Sequence, residues 1–178
     1  MNVILSLLLV SMLAAFAPKQ LCVLVGQTTQ DLSVSLKDLR NAPTMVVVDN
    51  RALHLSTYPW RDFAPGSMGA DGSPLMVGLK VTSADKQPLP SNIRLDRAWV
   101  LFGAEVWEVP NLRGPKAGQD QKKDTWKKCP NSPVCEITVR DGPKWGPGVY
   151  VDVVVRLTDS EGKQYLLQAP NQYVLRTD

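Results

Sequence analysis

The sequence predicts an all-β protein, folded as an antiparallel two-sheet sandwich behind an N-terminal signal segment. Three observations predict this fold. Short stretches alternate apolar and polar residues with the two-residue period of a half-buried strand. Turn-forming residues, 14 prolines and 12 glycines, are spread through the chain. At 178 residues the chain is long enough for one well-buried core.

The first 17 residues form the signal segment. Val3 to Ala17 carries no charge, and Ala15-Phe16-Ala17 supplies the small residues of a cleavage site. The start has no Lys or Arg, and Pro18 is unfavourable for cleavage, so an uncleaved anchor is the alternative. We expect an exported protein, periplasmic or secreted, that touches the membrane only if this segment is retained.

Residues 18–50 are predicted as a leader with a first strand, and residues 51–178 as the sandwich. Leu32, Leu36 and Leu39 have helical spacing after Asp31 as an N-cap. Because Leu32, Val34 and Leu36 also alternate, the leader is either a short helix or irregular.

The clearest strand is Val149 to Leu157, in which alternate residues are apolar and Asp152 and Arg156 lie on the opposite, polar face. The turn Asp159-Ser160-Glu161-Gly162 then predicts a hairpin. Gly103 marks a bend that makes its segment one long strand or two. The other candidates are Met45 to Val48, Leu53 to Thr57, Leu75 to Thr82, Arg97 to Val109, Glu136 to Arg140, Tyr165 to Leu167 and Tyr173 to Leu175.

Cys129 and Cys135 flank a segment with two prolines and an Asn that turns the chain back on itself. In an oxidising compartment this spacing predicts a disulfide. A metal site is the alternative, but two thiols and a single histidine do not readily supply four ligands. Cys22 has no predicted partner.

The sequence contains none of the motifs of a nucleophile elbow, a phosphate-binding loop, a metalloprotease or a calcium loop. His54, the single histidine, lies on the polar side of a predicted strand without a nucleophile motif. We therefore predict no catalytic residue, no metal and no cofactor. A net charge of +3 is too small to indicate nucleic-acid binding.

The five tryptophans fall into two groups. Trp99 and Trp107 lie in the most apolar strand region and are predicted to be core residues. Trp60 and Trp145 are predicted to lie in loops, either as exposed binding platforms or as a lid over the end of the sandwich.

The basic segment from Pro110 to Lys128 is the longest irregular stretch. It is either a contact for an anionic partner or a solvated loop. The predicted binding residues of this segment are Trp126, Lys122, Lys123, Lys127 and Lys128.

The strand count, a Trp in a central strand and Gly148-Val149-Tyr150 leading into an alternating strand with an Asp-x-x-Gly hairpin resemble exported bacterial immunoglobulin-like or fibronectin-type-III-like domains. The resemblance covers roughly Leu53 to Leu175. It implies an adhesion, spacing or ligand-binding module, because members of this fold class mostly serve in that way.

The leading hypothesis is a non-enzymatic module that binds a protein or glycan at the cell envelope. One alternative is a glycan-acting enzyme with two facing carboxylates. Another is a copper-handling module that uses His54 with Met45, Met68 or Met76. The last is a protease inhibitor that presents the loop between the two cysteines.

Overall fold

The computed structural model describes residues 34–64, 71–109, 112 and 131–178, and Val34–Asp178 forms one compact unit. The predicted signal segment, Cys22 and most of the leader lie outside the described residues. Among those described there are one short helix and nine strands, which confirms the all-β prediction. The elements are α1 (Leu36–Arg40), β1 (Met45–Val48), β2 (Arg51–Asp62), β3 (Leu75–Ser83), β4 (Arg94–Phe102), β5 (Glu105–Val109), β6 (Val134–Gly142), β7 (Tyr150–Thr158), β8 (Gln164–Tyr173) and β9 (Leu175–Thr177).

The strands form two sheets, as predicted for a sandwich. The first sheet has the order β1-β2-β3-β6. The short strand β9 pairs in parallel with the end of β2, along the same edge of β2 that pairs with β1 at its start. The second sheet has the order β5-β4-β7-β8 and is antiparallel throughout. The inward faces of both sheets contribute to one apolar core.

The core is built from the alternating residues that the sequence indicates. Val153, Val155 and Leu157 of β7 are fully buried, as predicted from the valine pattern. The alternate residues of β3 from Leu75 to Val81 are fully buried as well. Burial of each such side chain contributes about 1.5–3 kcal/mol, so these two strands anchor the two sheets to each other.

A second, smaller cluster lies on the outer face of the second sheet. Leu39 of α1 and the following Ala42 cover Trp99, Leu101 and Val154. Trp99 is therefore buried as predicted, but beneath the helix rather than between the sheets. This placement is possible because α1 supplies an apolar cover that alternation along the strands does not reveal.

The leader does form a short helix, but its cap differs from the predicted one. Ser35 accepts a hydrogen bond from the backbone N of Asp38, and the Asp38 side chain accepts one from the backbone N of Ser35. This reciprocal capping box begins the helix at Leu36. Asp31, the predicted cap, lies outside the described residues.

Two turns explain how neighbouring strands are connected. Asp49 and Asn50 join β1 to β2 with φ values of 48° and 62°, the left-handed pair required by a two-residue type I′ hairpin. Gly103, with φ of 56°, lies in the turn between β4 and β5. The segment from Arg97 to Val109 is therefore two strands rather than one.

The prediction that Trp60 lies in a loop is wrong, because β2 continues through Pro59 to Asp62. The carbonyls of Ala52 and Asp62 accept hydrogen bonds from Ala84 and Ser73, so even-numbered residues of β2 direct their backbone groups towards β3. Pro59, an odd-numbered residue, directs its nitrogen to the other edge. At that edge β1 pairs with residues 51–54 and β9 with 60–62, so the missing N–H falls between them.

No helix within the described ranges combines the length and the apolar character needed to cross a membrane.

A candidate binding surface where the two sheets meet

The outer face of β2 carries two neighbouring aromatic side chains. Leu53, Leu55 and Pro59 point into the core, so the alternation directs Tyr58 and Trp60 outward. Their ring centroids are 5.5 Å apart and the ring planes are inclined at 46°. Half of the surface of Tyr58 is exposed, at 51%, and neither ring belongs to the core.

Gly78 of β3 leaves room beside these rings. It pairs with Tyr58 in the sheet, and a Cβ at this position would lie 3.7 Å from Cβ of Tyr58 and 3.9 Å from Cζ3 of Trp60. The two aromatic side chains therefore flank a stretch of bare backbone. An aromatic side chain that shields a strand glycine stabilises the sheet, and its outward ring face remains available for contact.

A second pair of aromatic rings lies at the end of β7. Tyr150 and Tyr173 are directly opposite each other in the ladder of β7 and β8. Their centroids are 5.3 Å apart in an edge-to-face arrangement of 61°. Both side chains are exposed, by 58% and 47%.

The two pairs are adjacent because the chain after β8 passes from the second sheet to the first. Leu175 of β9 pairs with Trp60. Extending this parallel register backwards by two residues places Tyr173 beside Tyr58. Oγ1 of Thr57 donates a hydrogen bond of 3.0 Å to Oε1 of Gln172, in agreement with the same register.

We name the four residues Tyr58, Trp60, Tyr150 and Tyr173 the aromatic strip. It crosses β7, β8 and β2, and on β3 Met76 pairs with Trp60. Beyond Met76 lies Arg140 of β6, whose Nη1 is 3.1 Å from the Met76 sulfur. Spanning four inter-strand spacings, the surface from Tyr150 to Arg140 is about 19 Å long.

Trp145 lies in the loop between β6 and β7 and is packed in place. Its ring packs against Phe102 at a centroid distance of 5.6 Å, and its Nε1 donates a hydrogen bond of 2.9 Å to Glu105. The side chain is half-buried and contacts the main core. Trp60 and Trp145 therefore belong to different surfaces: Trp60 is on the outer face of the first sheet, and Trp145 covers the turn after β4.

The other predicted contacts are not described. The predicted binding residues of the basic segment, namely Trp126, Lys122, Lys123, Lys127 and Lys128, lie outside the described residues. Cys129 also lies outside them, whereas Cys135 is buried on β6. The pairing of Cys129 with Cys135 stays a prediction.

Two of the alternative hypotheses concern residues that the structure places. For the enzyme hypothesis, Glu105 and Glu108 are one candidate carboxylate pair. Glu105 accepts a hydrogen bond from Trp145, and Glu108 forms a 2.6 Å ion pair with Arg97, so both carboxylates have partners within the fold. Met45 is directly opposite His54 on the outer face of the first sheet. Within the described ranges no group of three or more His, Cys, Asp or Glu side chains is arranged to hold a metal ion.

Sequence reasoning did not select Tyr58, Tyr150, Tyr173 or Arg140. The usable signal was the alternation, which places Tyr58, Tyr150 and Arg140 on the face away from the core. Alternation alone would place Tyr173 on the same face as the buried Ala169, and Tyr173 is exposed because the register between β7 and β8 shifts between Val151 and Val153. What the sequence lacks is the register between β9 and β2, because this parallel contact joins residues more than 100 positions apart.

No protein-family model, curated protein or solved structure matches this chain at a significant level.

Proposed function

We propose that the protein is a non-enzymatic, exported β-sandwich module that binds a protein or glycan at the cell envelope through the aromatic strip. The observation that carries the proposal is the continuity of four aromatic side chains across the junction of the sheets, of which Tyr58, Tyr150 and Tyr173 are exposed and Trp60 is half-buried. Contiguous exposed apolar surface on a soluble protein commonly marks an interaction site. Tyr and Trp are also the residues that most often dominate binding energy at interfaces.

The strand order supports a binding module of the immunoglobulin-like class. In that class strands A, B and E face strands C, F and G, and an added C′ strand lies next to C. Here β2, β3 and β6 form one sheet, while β4, β7 and β8 form the other with β5 beside β4. Such domains commonly bind partners through surface features that vary while the fold is kept.

The strip is dispensable for the core, which makes the proposal testable. None of its four rings belongs to either apolar cluster. Replacing them removes three exposed rings and the half-buried ring of Trp60, and leaves the packing between the sheets intact. A loss of binding in such a variant would therefore report on the surface rather than on folding.

The test compares the full chain with a variant carrying Tyr58→Ser, Trp60→Ala, Tyr150→Ser and Tyr173→Ser. A matched control carries Val47→Ser and Val106→Ser, which remove exposed apolar side chains elsewhere, 58% and 41% exposed. Each protein is applied to a glycan array and used in crosslinking with cell-envelope extract.

We expect the strip variant to lose the ligand that the wild type and the control variant retain. Equal binding by all three proteins, with circular dichroism showing that each is folded, would contradict the proposal for this surface. The basic segment would then be the next surface to replace, starting with Lys122, Lys123, Lys127 and Lys128.

Placement at the envelope rests on the apolar segment from Val3 to Ala17. Cell fractionation of the tagged chain tests it, with N-terminal sequencing to distinguish a cleaved signal from a retained anchor. Recovery of the protein with a cytoplasmic marker would contradict this part of the proposal.

A further inference from the structure

We infer that the ligand of the aromatic strip is an acidic glycan, a polysaccharide carrying carboxylates, and that Arg140 recognises a carboxylate. This inference rests on the proposed function and narrows it to one ligand class. Its structural basis is the position of the exposed Arg140 side chain at the Trp60 end of the aromatic strip.

The guanidinium of Arg140 can still donate hydrogen bonds to a ligand. The acceptor for its guanidinium among the described residues is the thioether of Met76 at 3.1 Å, and a thioether is a weak acceptor. Within the same part of the chain no carboxylate forms an ion pair with it. A guanidinium offers five N–H donors in a planar fork that matches the two oxygens of a carboxylate.

Lys80, another outward-facing cation of the first sheet, is partly compensated. Lys80 points outward from β3 two residues beyond Gly78, and Glu136 of β6 is directly opposite it. Arg140 is therefore the cation that an anionic ligand would meet first at the Trp60 end of the strip.

The shape of the strip favours a chain-like ligand over a globular one. A standard protein interface buries about 800 Å² on each partner around an apolar centre. The strip is one ring wide at β7 and β8 and two rings wide at β2, and Ser56, Lys80 and Thr138 border it with polar groups. An extended glycan crossing the strands would meet Tyr150 and Tyr173, whose rings are 5.3 Å apart, and then the Tyr58–Trp60 pair of β2.

The arrangement also supplies both kinds of contact that a sugar needs. The C–H face of a pyranose is apolar and can cover the exposed ring of Tyr58 and the outward part of the Trp60 ring. The tyrosine hydroxyls are donors and acceptors that remain at the rim of each ring. A carboxylate on a sugar near Met76 would be within reach of Arg140.

The experiment uses the full chain and polygalacturonate, with fully methyl-esterified polygalacturonate and dextran as the uncharged polymers. Affinity is measured by isothermal titration calorimetry at two salt concentrations. The variants are Arg140→Gln, Arg140→Lys and Trp60→Ala. Lys37→Gln is the matched control, because it removes the same charge from an exposed residue on α1.

We expect Arg140→Gln to weaken binding of polygalacturonate by about tenfold or more, as expected for the loss of a bidentate charged contact. Arg140→Lys should recover only part of the affinity. Lys37→Gln should bind like the wild type. Trp60→Ala should weaken the binding of polygalacturonate and any residual binding of its methyl ester.

Equal affinity of the wild type for polygalacturonate and its ester would overturn the inference, as would an unchanged Arg140→Gln. Binding of a protein but no glycan through the strip would also overturn it. In these cases the proposed function stands as long as the strip variant loses its ligand. If the strip variant keeps every ligand, both proposals fail.

Discussion

The indole of Trp107 lies directly against the α-carbon of Gly142, and this contact joins the edge strands of the two sheets. A Cβ on Gly142 would lie 2.6 Å from Cζ3 of Trp107, well inside van der Waals contact. Trp107 is on β5 and Gly142 ends β6, so the ring bridges the opening between two strands that are not paired with each other. A side chain at position 142 would displace the ring that closes this edge.

Gly142→Ala should therefore destabilise the protein by about 1–3 kcal/mol, the usual range for overpacking. The free energy of unfolding in urea measures this. Gly78→Ala is the control, since the nearest atoms to its new Cβ would be 3.7 Å away. If Gly142→Ala costs no more than Gly78→Ala, or costs the same when Trp107 is replaced by Leu, the contact does not restrict this position.

Arg61 holds two loops together through their backbone carbonyls. Its Nε donates a hydrogen bond of 2.8 Å to the carbonyl of Ser73, and its Nη1 donates one of 3.2 Å to the carbonyl of Lys144. Further bonds reach the carbonyls of Asp71 and Gly146. The side chain is buried, so removing it leaves several acceptors without a donor.

We expect Arg61→Met to reduce stability by about 3 kcal/mol or more, because each buried unsatisfied acceptor is costly. Hydrogen exchange should accelerate in residues 143–148. Arg176→Met is the matched comparison, since Arg176 is exposed and pairs with Asp178 at 2.8 Å. Similar losses in the two variants would show that the carbonyl contacts of Arg61 add little.

Asp159 organises the turn between β7 and β8 and gives the fold a sensitivity to acid. Burial raises the pKa of this carboxyl and is the largest single influence. The hydrogen bonds donated by the backbone of Lys163, the hydroxyl of Tyr165 and the backbone of Glu161 together outweigh it, so the pKa is lowered from 3.8.

Because the folded-state pKa lies below the unfolded one, the stabilisation from Asp159 is fully present above the unfolded value. It disappears as pH falls through the folded value. The unfolding free energy of the wild type should therefore fall below about pH 4, and less steeply in Asp159→Asn. Glu161→Gln, in the same turn, is the control. Parallel pH curves for the wild type and Asp159→Asn would rule out this role.

The predicted disulfide can be tested by thiol labelling. Cys135 is buried opposite Val81 on the inner side of β6. If it is bonded to Cys129, alkylation of the denatured, unreduced protein should add a single label, at Cys22. Cys129→Ser should lower the free energy of unfolding by about 2 kcal/mol, and reduction of the wild type should lower its free energy of unfolding to the same value. Three labels before reduction would contradict the pairing.

The sequence was sufficient for the fold wherever one strand face meets the core. The valines of β7 and the alternating apolar residues of β3 were predicted because a two-residue period follows directly from strand geometry. Trp60 was assigned to a loop because Pro59 interrupts the pattern, and only the interval between β1 and β9 explains how β2 tolerates a proline.

The candidate site was less predictable because it depends on contacts between distant segments. Trp60 was selected, but its neighbour Tyr173 comes from a strand more than 100 residues later. The burial of Arg156 was not predictable from the sequence either. Alternation places it on the polar face of β7, where an exposed side chain is expected, yet its relative exposure is 5%.

Arg156 is stabilised by Asp96, and this pair gives the last prediction. A register shift between Leu95 and Arg97 places Asp96 beside the guanidinium. Nε and Nη2 of Arg156 each donate a hydrogen bond of 2.9 Å to a carboxylate oxygen of Asp96. The hydroxyl of Thr158 donates another hydrogen bond of 2.9 Å to the same carboxylate. Removal of one member leaves the other charged group buried without a partner, which typically lowers the free energy of unfolding by about 3–5 kcal/mol.

A double-mutant cycle on Asp96→Ala and Arg156→Met should therefore give a coupling energy well above that of Arg97→Ala and Glu108→Ala. The latter pair joins β4 to β5 at 2.6 Å, but its side chains are 31% and 50% exposed, where pairs couple by about 0.2–1 kcal/mol. The double variant of the buried pair should be less destabilised than the sum of its single variants, since no unpaired charge remains. Equal coupling in the two cycles would mean that burial adds nothing to the Asp96–Arg156 interaction.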